Sequence, residues 1–585
     1  MKLSDYVIQF ISKIGVDYIF LLPGGGSMHL VDSVGRNKEI TPVCFLHEQA
    51  AAIAADGYAQ YRNDIGVALV TTGPGGTNTI TAVAASWIDS TPLMIISGQV
   101  KRSDLMHGKG VRQMGVQEVD IVSIVKPITK YAVTVTEPET IRYHLEKALY
   151  YARSGRPGPV WIDIPLDVQS YPIEEKNLKG FRPKRKRKQN LGKIVERCIK
   201  LLNASKRPVI LAGRGVRLAN AEDYFLQFIE KTNIPVLLTW RLLDIIPEDH
   251  ELNFGRPGSV APRYSNFILQ SADLLISIGA RLDLAQVGYN YKNFAKNAKK
   301  IVVDIDEAEI RKIDTKIDVP IVSDAKDFLI ELLKKSSLIE KVEREEWIER
   351  CRRWKEKYPV ILPEYKKKKG YVNTYALIDI LSDILTEEDV IVPGSSGSCS
   401  EITCQAFRIK KGQRLINSPG LGSMGFGLPQ SIGVCLASNK KRTICIIGDG
   451  GLQHNIQELE TLKRLNLPVK LFVLNNNGYA AIRNTQKRFF NGRFVCCDPE
   501  SGLTIPDLKK IAKAYGLKYF QIKNQNRLEK EVRDVIETEG PVMCEVMIDL
   551  DLQIQPRISS MVMPDGRIVS KPLEDLWPFL ESKEV

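Results

Sequence analysis

The stretch TICIIGDGGLQHNIQELETLKRLNLPVKLFVLNNNGYAAI, residues 443–482, decides the fold. An apolar run of strand length ends in GDGG, an amphipathic helix follows, and a second apolar run ends in NNNGY. Both polar ends therefore fall at carboxyl ends of parallel strands, where open α/β sheets place their ligands. Asp449 and Asn476, 27 residues apart, are hard oxygen donors. With a backbone carbonyl, that of Gly478, and phosphate oxygens they would complete an octahedral Mg²⁺ site. Gly450 and Gly451 let the backbone approach a diphosphate, and the helix N-terminus stabilises its charge. GDG alone is equally what a strand-turn-helix requires sterically; the whole unit with its spacing carries the metal reading.

Outward from this unit the same alternation recurs and predicts three doubly wound α/β domains with parallel sheets. The first covers residues 1–171, with runs such as GVALVTT, PLMIISG and GPVWIDIP. A basic linker, 172–190, leads to a central domain, 191–338, whose runs RPVILAGRGV, NIPVLLTW, ADLLISIGAR and KKIVVDID end in Gly or Asp. A charged linker helix, 339–370, precedes the third domain, 371–549, which carries the metal motif. The tail, 550–585, lacks regular periodicity but holds apolar residues, so it is expected to pack on the surface or over the site.

Composition narrows the class. A chain of 585 residues needs several cores. No apolar run reaches the roughly 20 residues of a membrane span. The opening MKLSDYVIQFISKIG reads as an amphipathic helix with Asp5 inside it, not as a signal peptide. Ten cysteines form no CxxC pair, which points to a reduced, cytoplasmic protein. Lys and Arg exceed Asp and Glu by 82 to 69, a net charge of +13. Part of the excess lies in FRPKRKRKQN (181–190) and KKKK (366–369), where domains should join. Neither run has aromatic platforms or a nucleic-acid-binding motif beside it, so solvated linkers are the reading and nucleic acid is not an expected partner.

Four segments in order resemble the thiamine diphosphate-dependent enzymes of the acetolactate synthase-like family. They are FLHEQAAAIAADGYA (45–59), TTGPGGTNTITAVAASWIDSTPLMIISGQV (71–100), SPGLGSMGFGLPQSIG (418–433) and the GDGG–NN unit. The resemblance implies thiamine diphosphate and Mg²⁺ as cofactors. It also implies active sites between subunits of a homodimer or homotetramer, with first and third domains of related fold. Glu48 would be the catalytic acid on the cofactor's pyrimidine nitrogen, holding a proton in an apolar pocket because desolvation disfavours the carboxylate. Met424 would keep the cofactor bent, and the Gly422 carbonyl would accept its amino group. Gly397, Ser398 and Cys399, in GSSGSCSE, would cradle the diphosphate; acetolactate synthases usually carry Gln and His at the last two. Gly25 and Gly26, in LLPGGGSMHL, would turn amides towards the reacting carbon. His29 and Gln117 stand close to the substrate in this reading. His107, Arg112 and His454 are further polar candidates.

Two departures bear on the acceptor. The arginine that acetolactate synthases use for the carboxylate of the second 2-oxo acid is Ala285 here, and the tryptophan after their NN turn is Thr485. The resemblance, read with these departures, implies a carboligase that decarboxylates a pyruvate-like 2-oxo acid and passes the acyl unit to a carbonyl acceptor, a keto sugar nucleotide being one candidate. The alternatives are acetolactate synthase itself, a 2-oxo acid decarboxylase or C–C hydrolase, and a silent regulatory subunit. Intact Glu48, Asp449 and Asn476 weigh against silence. FAD, which acetolactate synthases hold in their central domain, is a candidate ligand of Gly213, Gly215 and the turn at Gly279.

Overall fold

In the computed structural model, which describes residues 1–183, 190–367, 369–562, 564–581 and 584, buried apolar runs become the strands of three parallel sheets. The basic stretch 184–189 and Lys368 lie outside the described residues. Lys366, at the start of the second basic run, pairs with Asp379 at 2.6 Å.

The N-terminal sheet holds β1 (Tyr18–Leu21), β2 (Thr41–Cys44), β3 (Gly66–Val70), β4 (Leu93–Gln99), β5 (Tyr131–Thr134) and β6 (Val160–Pro165), in the order β2-β1-β3-β4-β6-β5. The central sheet holds β7 (Pro208–Ala212), β8 (Val236–Leu238), β9 (Leu274–Ile278), β10 (Lys299–Asp304) and β11 (Val319–Val322), in the order β11-β10-β9-β7-β8. The C-terminal sheet holds β12 (Val390–Pro393), β13 (Arg414–Leu415), β14 (Thr443–Gly448), β15 (Val469–Asn475), β16 (Lys518–Ile522) and β17 (Val542–Met547), in the order β13-β12-β14-β15-β17-β16. Counted from their own first strands, the first and third sheets share one order, so they are related folds. Each sheet has a point where connections leave to opposite sides: between β1 and β3, between β7 and β9, and between β12 and β14. These switch points are where open sheets leave a crevice at their carboxyl ends.

The first and third domains are joined through two helices, Glu48–Arg62 and Gly427–Ala437. The first is alanine-rich because its partner lies on its backbone: a Cβ added at Gly433 would stand 1.9 Å from the Ala54 carbonyl oxygen. It starts at His47, whose Nδ1 accepts from the Gln49 amide at 3.1 Å, and ends at Asn63 in the left-handed region. A buried polar knot crosses the same junction. Asp56 accepts from Ser86 Oγ at 2.8 Å and Gln430 Nε2 at 3.3 Å, and Gln60 donates to Ser418 at 2.8 Å. Buried polar groups satisfied in this way fix one register of packing. A single apolar cluster runs from Phe20 and Ala54 to Leu428 and Val473 across both sheets.

The tail is a strap with a short hairpin, Ser560–Val562 against Ile568–Ser570. Asn266 donates to its Leu573 carbonyl at 2.8 Å, and Tyr375 donates to its Gln555 carbonyl at 2.7 Å, so it spans central and C-terminal domains. Among the described residues no helix is long and apolar enough to cross a membrane, and all ten cysteines are free.

Candidate active site

The register of the C-terminal sheet sets the metal motif. Gly448 on β14 pairs with Leu474 on β15, so Asp449 and the NNNGY turn leave the sheet side by side. Asp449 is the first residue of the helix Asp449–Gln453 and is 2% exposed. Its Oδ1 accepts from the Gly450 amide at 2.7 Å, and its Oδ2 from the Gly478 amide at 3.2 Å. Burial pushes its carboxyl up to about 6 despite these donors. Asn475 turns back into the fold, donating to Glu545 at 2.5 Å. Asn476 differs: its Oδ1 is buried without a hydrogen-bond partner. A charged carboxylate poorly compensated for its burial, beside an orphaned amide oxygen, is a donor set that a hard cation would satisfy. Among the described residues no three His, Cys, Asp or Glu side chains gather, so further ligands would be carbonyl and diphosphate oxygens. Gly450 is required sterically, since a Cβ there would stand 2.3 Å from the Tyr479 ring.

On the other side of the switch point, Gly397 has φ +74° and caps the nine-residue helix Ser398–Ala406. The amides of Ser400 and Glu401 bond back to the Gly397 carbonyl, which leaves the Ser398 and Cys399 amides pointing off the helix end. They suit a diphosphate. The Cys399 side chain does not take part. Its thiol donates to the Ser396 carbonyl at 3.1 Å, and burial pushes its pKa up to about 11. The loop before Met424 is half-buried, with Gly422 at φ +65°. It rests on the His454–Asn455 turn, where Asn455 Nδ2 donates to the Gly425 carbonyl at 2.9 Å.

In the N-terminal domain Glu48 opens its helix, is 7% exposed, and accepts from Asn78 Nδ2 at 2.9 Å. The glycine turn after β1 meets the Thr71–Thr72 turn after β3. Gly26 donates its amide to Thr71 Oγ1 at 3.1 Å, which takes that amide away from any oxyanion. Gly25 keeps open space around it. His29 is half-buried on the helix Met28–Arg36. Gln117, His107 and Arg112 are exposed in one loop. Sequence reasoning missed the residue that shapes this loop. Glu118, 5% exposed, accepts from the Met114 and Gly115 amides, each at 2.9 Å, and from the Met106 amide at 2.5 Å. Its adjacency to Gln117 was the only signal.

A cavity of about 900 Å³ runs along the carboxyl ends of β7, β9, β10 and β11 and opens onto Ser395, Ser396, Ser400, Glu401 and Gly422. Ala285 lines it. Arg214 and Arg281 also line it, and Arg214 Nη2 and Arg281 Nε are buried without hydrogen-bond partners. Gly213 and Gly215 are explained by packing rather than by a ligand, since Cβ atoms there would stand 2.3 and 2.6 Å from the Ala280 and Gly279 backbone. Thr485 is exposed and donates to the Ala481 carbonyl of its own helix at 3.0 Å.

Comparison with known proteins matches all three domains. Residues 1–124 match the thiamine pyrophosphate enzyme N-terminal TPP binding domain, 195–332 the central domain and 395–546 the C-terminal TPP binding domain. The chain is 34% identical over 571 residues to the acetolactate synthase large subunit of Lactococcus lactis subsp. lactis, covering 97% of this chain and 96% of that one. It is 33% identical over 556 residues to the acetolactate synthase isozyme 1 large subunit of Escherichia coli K12, covering 95% of each. A probable acetolactate synthase large subunit of Methanococcus aeolicus is 33% identical over 586 residues, with coverage of 97% and 94%.

Proposed function

The chain belongs to the thiamine pyrophosphate enzymes, and on that premise we propose that it is a carboligase that decarboxylates a pyruvate-like 2-oxo acid and joins the remaining acyl unit to a carbonyl acceptor. Thiamine diphosphate, when bound, supplies the electron sink that lets the carboxylate leave. Glu48, oriented by Asn78, would hold the proton on the cofactor's ring nitrogen. Asp449, Asn476 and Gly478 would hold Mg²⁺, and the Ser398 and Cys399 amides would take diphosphate oxygens. Met424 would keep the cofactor bent. His29 and Gln117 would stand on the substrate side. Exposed Met28, Leu46 and Val116, neighbours of His29, Glu48 and Gln117 in the chain, suit burial by a second copy in a homodimer or homotetramer.

The acceptor reading rests on one observation: Ala285 lines the cavity at the place where acetolactate synthases carry an arginine. A 2-oxo acid buried there would lack that counter-charge, a cost of several kcal/mol before relaxation. An acceptor without a carboxylate at that place would not incur it, and the cavity is large enough for a keto sugar nucleotide. The second reading, acetolactate synthase, is favoured by the names of the relatives. FAD fits the cavity, where Arg214 and Arg281 would meet its diphosphate. Its role there would be structural, and flavin absorbance of the purified protein tests it.

The decisive experiment supplies thiamine diphosphate, Mg²⁺ and pyruvate with a panel of aldehydes, keto sugars and nucleotide-linked keto sugars, with products read by mass. Slow acetolactate formation from pyruvate alone, and faster pyruvate consumption with one acceptor class, is the expected result. Rapid acetolactate synthesis that no acceptor diverts would establish the second reading instead.

A further inference from the structure

The wall between the diphosphate cradle and the central cavity carries polar groups that the proposed cofactor contacts leave unused. Glu401 is the fourth residue of the helix Ser398–Ala406 and lines the cavity, one turn beyond the amides assigned to the diphosphate. It is half-buried, and no hydrogen bond bears on its carboxyl beside burial and the Arg557 charge among the described residues. Burial pushes its pKa up to about 7, offset by the charge of Arg557 on the tail strap. Beside it, Ser395 and Ser400 line the same cavity at 6% and 1% exposure, and both hydroxyl oxygens are buried without partners. Gly422, which precedes Met424, and Ala285 complete this end.

An unmade hydrogen bond at a buried polar group costs about 1–3 kcal/mol, and more at a charged one. Two such hydroxyls beside a half-buried carboxylate suit a ligand that donates to the carboxylate and pairs with the hydroxyls. A polyhydroxylated compound does both, since adjacent hydroxyls can give two hydrogens to one carboxylate. A second 2-oxo acid suits this wall less: its carboxylate brings no donor and meets the ionised form of Glu401 as a like charge, without an arginine at position 285 to offset the repulsion. Arg557, whose charge acts on Glu401, is not among the residues that line the cavity.

The geometry points to Glu401 as a specificity-determining residue of the acceptor subsite, which takes hydroxyl hydrogens of a polyhydroxylated carbonyl acceptor and disfavours one that sets a carboxylate against the same wall. The assignment rests on the carboligase reading and names the acceptor class within it. Ser395 and Ser400 are the secondary contacts.

The test uses the holoenzyme saturated with thiamine diphosphate and Mg²⁺, as wild type, Glu401→Gln and Glu401→Leu. Pyruvate is the donor. The acceptor probes are glyceraldehyde, propanal (the same chain without hydroxyls) and pyruvate itself. The readout is the ratio of kcat/KM between acceptors, from which the shared donor half and the fraction of active protein cancel. Wild type should favour glyceraldehyde over both others. Glu401→Leu should lower the glyceraldehyde-to-propanal ratio by about 10- to 100-fold, the scale on which losing a hydrogen-bonding partner acts. Glu401→Gln, which keeps one acceptor oxygen without the charge, should hold that ratio within about fivefold of wild type while raising the share of acetolactate. An unchanged ratio in Glu401→Leu, with products still formed, overturns the assignment and leaves the carboligase reading standing. A wild type that releases no CO₂ from pyruvate or any other 2-oxo acid tried overturns both.

Discussion

Asp449→Asn should make the cofactor-free protein more stable while removing its response to cofactor. The carboxyl sits at about 6 against an ordinary 3.8, because burial at 2% exposure outweighs the Gly450 and Gly478 amides that donate to it. A shift of about two units corresponds to about 3 kcal/mol. The folded value lies above the unfolded one, so this group's favourable contribution is complete below about pH 4 and is lost as pH rises through about 6. At pH 7 wild type therefore holds a charge that the empty site does not compensate. Asparagine keeps the shape and an acceptor oxygen and removes the charge. The gain should reach about 3 kcal/mol at pH 7 and about half of that at pH 5. Spread over an α/β unit of domain size, this is an upward shift of about 5–10 °C in that unit's melting. Because three domains need not melt together, the assay is scanning calorimetry, following the transition that moves with ligand. Wild type with thiamine diphosphate and Mg²⁺ at about a hundredfold above Kd should gain about 2.7 kcal/mol, and the variant should gain almost nothing. A cofactor-free Asp449→Asn that melts at or below wild type at pH 7, or one that keeps the full cofactor-dependent shift, would refute the reasoning.

Glu48→Gln should lose turnover by at least about 100-fold, the scale of a general-acid contribution, while calorimetry still detects thiamine diphosphate binding; a variant with near-normal turnover would remove Glu48 from the chemistry. Gly433→Ala should destabilise the protein by about 1–3 kcal/mol or more, because its methyl would stand 1.9 Å from the Ala54 carbonyl and the two helices would have to part. The control is Gly35→Ala on the helix Met28–Arg36, where an added methyl meets nothing within 4 Å; it should leave melting unchanged or raise it slightly. Equal melting of the two variants would show that the helix contact does not govern stability.

The fold class was legible because each buried parallel strand is a short continuous apolar run, and such runs are visible without neighbours. The shared order of the first and third sheets was not, since register and order come from pairing across the chain. At the candidate site, the placement of Asp449 and Asn476 at neighbouring strand ends was readable because the spacing is local. The same logic did not foresee that the Gly26 amide bonds to Thr71 across the switch point, nor that the Cys399 thiol bonds to Ser396 and leaves only its amide for a ligand. It missed Glu118, whose carboxylate gathers three amides of its own loop, because glutamate in a polar loop is ordinarily solvated. Glu401 was passed over for a related reason: in GSSGSCSE the glycine and serines mark a helix start, and nothing nearby says which way the next turn faces. The cofactor groups sit on single strand-to-helix turns, so a short motif can encode each of them. The proposed acceptor wall joins residues near 285 and 400, and no short window of sequence contains it. Activity of the family type and choice of acceptor are therefore written at different ranges along the chain, and a substitution such as Ala285 takes on meaning only once folding has set it on the cavity that Glu401 also lines.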